Sequence, residues 1–364
     1  MDKQANGAGC NPVWPCAMTG ACSVLCGFSG LSVIIHGSSG CYFYPKSLMK
    51  VPVYSTFLIE SEVVMGSARR LAEVISQVPR KGGIAVLNTC VPALTGEDLA
   101  SAVPEDTIFV DAPGFCGGLE TGMQKAYEAL AIPVTGRDGV NIDGVSRFDL
   151  FARGNVHEAK RILAQLGIPA ALTLAYDSWE NLQKGAAART VSVNPGFASG
   201  VGEMQGSLLF TELRATVAKL CDAFSNAAPD ALLKDWQAAD EKMYYYADKF
   251  LRKYNPPRVL AAGPDSYAAF AKSMMQRYFG SDVLCLPRSE VTDLEKIAQA
   301  VAEFGPDLVA GSTFEANLAP EAAFFGIASP DRSRVSFAAR PICGIEGACF
   351  FIEGILNAAM DKQR

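Results

Sequence analysis

Short apolar runs alternate with longer stretches of helical period through the first third of this chain. Leu31-Ser32-Val33-Ile34-Ile35 stops at His36-Gly37, the pattern of a strand buried on both faces. Gly83 to Asn88 and Thr107 to Asp111 repeat that pattern, the latter closed by Pro113-Gly114. Between the first two runs, Glu62 to Val78 carries apolar residues at Val63, Leu71, Val74, Ile75 and Val78, which predicts one helix. Gly122 to Leu130 predicts another. Such alternation signals a parallel sheet with helices on both faces.

A second unit begins near Gly139, with a predicted helix over Val156 to Leu166 and a strand over Ala170 to Leu174. Asn194 to Gly206 is rich in glycine and is expected to be a loop or a helix entry. Leu208 to Tyr254 is mostly helical with one polar face, and Pro256-Pro257 breaks it. A third alternation follows: strand Arg258 to Ala262, helix Ser266 to Tyr278, strand Val283 to Leu286, helix Asp293 to Phe304, strand Asp307 to Ala310. A last helix runs from about Gly344 to Met360. The fold class is therefore α/β, with three parallel-sheet domains expected over 1–138, 139–255 and 256–364. The first carries the cysteines of interest, the second a helical extension.

Length and composition agree. The chain has 364 residues, 49% hydrophobic and 19% charged, enough for two or three packed cores. A net charge of −6 argues against nucleic acid or an anionic membrane as partner. No apolar run reaches the roughly 18 residues of a spanning helix. Met1-Asp2-Lys3-Gln4 lacks the layout of a signal peptide, so a cytoplasmic location is the default expectation. Eleven cysteines are many for such a chain. In a reducing compartment they are buried small hydrophobes or they hold metal or do redox work.

Three of them stand in turns or just beyond strands: Cys16 in Trp14-Pro15-Cys16-Ala17-Met18-Thr19-Gly20, Cys41 after His36-Gly37-Ser38-Ser39-Gly40, and Cys90 after Asn88-Thr89. Ligands of parallel sheets gather at the carboxyl ends of strands, and thiolates are the usual ligands of iron–sulfur clusters. Glycine lets backbone come close to a bulky group. The chain has no GxxxxGK[ST] phosphate loop, so ATP hydrolysis is not assigned to it on that motif.

These segments carry a resemblance. Cys16-Ala-Met-Thr-Gly-Ala21, His36-Gly-Ser-Ser-Gly-Cys41 and Thr89-Cys90-Val-Pro-Ala-Leu-Thr-Gly-Glu-Asp98 resemble the cluster-binding signature of nitrogenase component 1 proteins. Thr56 to Glu60, Val64 to Leu71, Pro113-Gly114-Phe115, Val140-Asn141-Ile142, Pro306 to Val309 and Cys343 to Ala348 extend the likeness from about residue 10 to 360. The resemblance implies three Rossmann-like domains and a [4Fe-4S] cluster at a subunit interface, held by Cys16, Cys41 and Cys90. It also implies a homodimer or a heterodimer with a related chain. A separate nitrogenase iron protein-like reductase would use the ATP and deliver electrons for reduction of a small molecule.

The departures shape that expectation. Where the family's catalytic chains carry a cysteine for the large molybdenum–iron cofactor, this chain reads Val193-Asn194-Pro195-Gly196-Phe197. Where they carry a late histidine it has Cys343, and its only histidines are His36 and His157. The compact length resembles the members that reduce tetrapyrroles. The alternative is a scaffold that assembles a metallocofactor without turning over a substrate.

Other residues keep two readings. Cys22 and Cys26, four apart on a helix, are core, or one of them replaces Cys16; Cys10 lies close by. His36 is either a support to the cluster and a proton route or a structural histidine. Cys343 either faces the cavity between domains or packs, and Cys116 either lies at the cluster edge or fills a turn. Tyr42 and Tyr44 serve as interface packing or as proton donors. Glu97 and Asp98 are expected to start a helix after Cys90, where acidic residues are stabilising. Cys221 and Cys285 are read as core.

Overall fold

The computed structural model describes residues 13–49, 51–335 and 337–362, so Cys10 lies outside the described residues. Three four-stranded sheets organise the chain. In spatial order the first is Tyr54–Ser55, Ser32–His36, Ile84–Asn88 and Thr107–Asp111. The second is Glu203–Ser207, Arg189–Ser192, Val140–Asp143 and Ala170–Thr173. The third is Val283–Pro287, Val259–Gly263, Leu308–Gly311 and Ala323–Gly326. Every pairing within them is parallel.

Numbered along the chain within each sheet, the spatial order is 2-1-3-4 all three times, the second sheet being read from its other edge. The winding reverses between strands 1 and 3, and the crevice at the carboxyl ends of those two strands is where open α/β sheets take ligands. The fold thus offers three such crevices.

Strands 1 and 3 of each sheet are buried on both faces, which is why they read as apolar runs. Helices Ala17–Leu25 and Leu119–Leu130 cover one face of the first sheet, and Ala68–Gln77 covers the other. Helices Ala152–Gln165, Phe210–Ala223, Asp230–Leu251, Asp265–Phe279 and Gly344–Lys362 share a continuous core between the second and third sheets. The buried Glu158 carboxylate accepts from the N–H groups of Ile345 and Glu346 at 3.0 and 3.2 Å, which caps the last helix.

Three local expectations are corrected. Glu62 to Val78 is not one helix but two, Glu60–Met65 and Ala68–Gln77, broken where Gly66 turns to φ 100°. Glu97 and Asp98 do not open a helix. The helix after the strand Ile84–Asn88 begins at Cys90 itself, and it ends at Thr95 before Gly96 in the left-handed region. Glu97 then reaches back to accept from the Ser67 N–H and hydroxyl at 2.8 and 2.9 Å. The glycine-rich stretch after Asn194 includes the strand Glu203–Ser207, which pairs with the unforeseen strand Arg189–Ser192.

Candidate functional site

The crevice of the first sheet lies beyond His36 and Asn88, which are register partners on neighbouring strands. Each strand passes into a helix that carries a cysteine at its start. Cys90 is the first residue of Cys90–Thr95, and Cys41 is the third of Ser39–Met49. Cys16 arrives from outside the sheet as the residue capping Ala17–Leu25, in extended backbone at φ −78°, ψ 171°. It is held there by a bridge to Gly118 and by the Ala17 N–H donating to the Gly117 carbonyl at 2.9 Å.

Two glycines set the depth of Cys16. A Cβ on Gly20 would stand 1.8 Å from the Leu119 carbonyl oxygen, and one on Gly122 would stand 1.7 Å from that of Ala17. The two helices touch backbone to backbone at those points. A third glycine shows where two of the thiols converge: a Cβ on Gly114 would lie 3.1 Å from the Cys90 sulfur and 3.2 Å from the Cys16 sulfur. The Gly114 N–H donates to the Cys90 sulfur at 3.0 Å. Cys41 feels both other sulfurs electrostatically. Burial pushes its thiol up, while hydrogen bonds with Thr89 and Ser38 hold it down. Thr89 itself donates to the His36 carbonyl at 2.8 Å, and a Cβ on Gly37 would meet its hydroxyl at 2.0 Å, so the two loops interlock.

All three cysteines therefore lie in the first turn of a helix or at its cap. Among the described residues no group of three or more His, Cys, Asp or Glu is placed to hold a metal ion. Exposed apolar side chains stand on the segments that carry the thiols or next to them. Phe43, Tyr44, Phe57, Leu94 and Phe115 are exposed, and the Phe43 and Phe57 rings lie 6.3 Å apart.

The remaining candidates fall elsewhere. His36 is buried, with Nε2 hydrogen-bonded to the Ser67 hydroxyl at 2.8 Å and Nδ1 unpartnered. Burial lowers its pKa to about 4, against the pull of Glu97 and Glu62. Cys343 is fully buried, its thiol donating to the Asn155 carbonyl at 3.7 Å, so it faces protein rather than a cavity. Cys22 and Cys26 pack into the first core with sulfurs 3.7 Å apart. Cys116 ends the short helix Gly114–Cys116 and is partly exposed. Tyr42 is buried and Tyr44 exposed. Cys221 and Cys285 pack against the main core. Sequence reasoning missed Ser38 as a donor to the Cys41 thiol, and the seat that Gly114 occupies beside two sulfurs.

The family model described as "Nitrogenase component 1 type Oxidoreductase" matches residues 16–204, just over half of the chain. A nitrogenase molybdenum-iron protein beta chain from Frankia alni is 30% identical over 189 residues, covering 43% of this chain and 36% of that protein. A nitrogenase iron-molybdenum cofactor biosynthesis protein NifE from Rippkaea orientalis is 31% identical over 140 residues, covering 33% of this chain and 30% of that one. The matched stretch thus spans about a third of these relatives' length. A solved structure titled "Nitrogenase Cp1 at pH 6.5" superposes with a TM-score of 0.77 at 17% identity, covering 100% of this chain and 96% of that one. That likeness concerns the fold.

Proposed function

We propose that this chain, which belongs to the nitrogenase component 1 type oxidoreductase family, is the substrate-binding half of a two-component reductase and holds an iron–sulfur cluster through Cys16, Cys41 and Cys90. The observation that carries the reading is the seat of Gly114. A side chain there would fill the space in front of two thiols, and the third thiol shares their field. The donor set suits a cluster, because thiolates are its usual ligands and all three lie at helix N-termini.

Such a cluster supplies one-electron storage at a potential set by hydrogen bonds to its sulfurs and by burial. This chain's residues provide those settings. Gly114 and Ser38 donate to the sulfurs, and the apolar rim of Phe43, Phe57, Leu94 and Phe115 excludes water once covered. A rim of this kind fits a subunit interface, with a second copy or a related chain completing the coordination. An ATP-using iron protein reductase would supply electrons, and a small molecule, with tetrapyrroles as the first class to try, would receive them. No helix among the described residues is long and apolar enough to cross a membrane, which suits cytoplasmic work. We place the domain divisions at 138/139 and 255/256, in the connections between sheets.

The alternative reading is a cofactor-assembly scaffold, favoured by the match to NifE and by the absence of a thiol in Val193 to Phe197. The test is iron content and low-temperature EPR on protein purified without oxygen, reduced and oxidised, with Cys41→Ala beside it. A reduced cluster signal that the variant loses supports the proposal. Wild-type protein that takes up no iron on reconstitution overturns it. Turnover of a tetrapyrrole with reductase and ATP separates the reductase from the scaffold.

A further inference from the structure

The helix Ala17–Leu25 begins on Cys16 and ends on two further thiols. Cys22 is fully buried. Cys26, one turn later, caps the helix and reaches partly to the surface. Both thiols are free, and their sulfurs stand 3.7 Å apart, in contact. Packing alone accounts for cysteines in a core, but not for the cation that accompanies these. Arg147 enters after the strand Val140–Asp143 of the second sheet, and its charge favours a Cys26 thiolate. Its guanidinium lies 4.2 Å from the Tyr176 ring, and its Nε is buried with no hydrogen-bond partner.

The end of this helix is anchored to the second unit. A Cβ on Gly27 would stand 1.9 Å from the Ala175 carbonyl oxygen, and the Asp177 N–H donates to the Gly27 carbonyl at 3.2 Å. Phe28–Ser29 then pairs in parallel with Asp177–Ser178. The Ser146 hydroxyl donates to the Ser23 hydroxyl at 3.1 Å. Side chains four apart on a helix have Cβ atoms roughly 5–6 Å apart, and a disulfide draws them to roughly 3.5–4.5 Å. Closing a bond between Cys22 and Cys26 therefore tightens the last turn. Cys26 absorbs the change, because it is the cap and no further turn of helix holds it. A strained disulfide is readily reduced, which is the behaviour of a regulatory bridge rather than a structural one.

We propose that Cys22 and Cys26 are a reversible dithiol–disulfide pair, a redox-sensitive clasp where the first unit is anchored to the second, with hydrogen peroxide as the oxidant. The Cys26 thiol gives its proton to water, and the thiolate attacks one peroxide oxygen. The O–O bond breaks, hydroxide leaves, and Cys26 becomes a sulfenic acid. The Cys22 sulfur then attacks the Cys26 sulfur, the S–O bond breaks, and water leaves. Two thiols and one peroxide give one disulfide and two waters, the sulfurs losing the two electrons that the oxygens gain. The Cys22 contact and burial hold Cys26 protonated, well above the usual thiol range, against the pull of Arg147. The thiolate is the nucleophile, so closure is slow at neutral pH and quickens as pH rises. The pair needs neither cluster nor reductase.

The test treats the full chain, metal-free, with hydrogen peroxide. Remaining thiols are blocked in urea with iodoacetamide, and disulfides are mapped by mass spectrometry after chymotryptic cleavage at Leu25, between the two cysteines. A linked Cys22–Cys26 peptide is expected, lost again on treatment with dithiothreitol. Its rate of formation is expected to rise about tenfold per pH unit above neutral. In Cys22→Ala the sulfenic acid on Cys26 has no resolving thiol and is expected to be trapped by dimedone. The wild-type map decides the matter if that variant does not fold. The proposal is overturned if Cys22 and Cys26 are both alkylated after peroxide has oxidised other thiols. It is equally overturned if the bridge forms only in unfolded chain, or if either cysteine joins a different one.

Discussion

Replacing Gly114 by alanine is the most direct probe of where the thiols stand. Gly114 is not among the residues with positive φ, so an added methyl brings no backbone strain. The whole effect is contact: 3.1 Å to the Cys90 sulfur, 3.2 Å to the Cys16 sulfur and 3.4 Å to the Cys16 Cβ. Comfortable contact begins at roughly 3.5–4.0 Å even between carbons, so both sulfurs must retreat by about half an ångström. For the metal-free protein the penalty is that of overpacking, ~1–3 kcal/mol. For a loaded site the consequence would be larger, because two of the three proposed ligands move and the methyl takes the space in front of them. Gly40→Ala is the matched control. It neighbours Cys41, yet its Cβ would meet only the Ser38 hydroxyl at 4.0 Å, and alanine inside a helix is stabilising by about 0.5–1 kcal/mol. The assay is iron per chain after anaerobic reconstitution, with thermal unfolding of the metal-free form. Iron is expected to fall several-fold in Gly114→Ala and to hold in Gly40→Ala. Wild-type iron content in Gly114→Ala would refute the placement of the centre between Cys16 and Cys90.

Three further outcomes are expected. Burial raises Asp149 from 3.8 to about 6, so the folded state holds this proton more tightly than the unfolded one. The stability this contributes is complete below about pH 4 and is lost as pH rises through 6. At ~1.4 kcal/mol per unit the swing is about 3 kcal/mol, so Asp149→Asn should gain that much on wild type between pH 4 and 7 in urea unfolding, and parallel curves would contradict it. Glu315→Gln strands the buried Arg288 charge and is expected to cost ~3–5 kcal/mol, while Arg288→Met with Glu315→Gln costs less; a double variant worse than the single would show that the pair is not the cause. Gly122→Ala drives a methyl to 1.7 Å from the Ala17 oxygen. It should destabilise by more than ~3 kcal/mol and release iron, and a denaturation midpoint equal to wild type would exclude the close helix contact.

Cys41 and Cys90 were legible because parallel strands buried on both faces leave unbroken apolar runs, and the residues just beyond them must sit at the ligand edge. Cys16 was legible only as a member of a motif. Its position depends on Leu119 and Gly118, which lie about a hundred residues away and have no local signature. The same distance problem hid Glu97. Its sequence position after Cys90 suggested a helix start, but the left-handed Gly96 ends the helix early and frees the carboxylate for Ser67. Helical period alone ran through Gly66, because the apolar spacing on either side happens to stay in phase. Arg288 had no signal at all: an arginine after a strand is solvent-facing by default, whereas this one is buried, paired with Glu315 and 6.0 Å from the Trp14 ring.

The backbone contact between the helices of Gly20 and Gly122 also fixes an order of events during synthesis. Cys16, Cys41 and Cys90 leave the ribosome before Leu119–Leu130 exists, and Cys16 has no docking partner until that helix arrives. A growing chain can present the thiols of its first sheet, but it cannot gather all three. On the proposed ligand set, metal loading would wait for the finished N-terminal sheet and its covering helices, and a nascent chain that met iron early would offer it only part of the final grip.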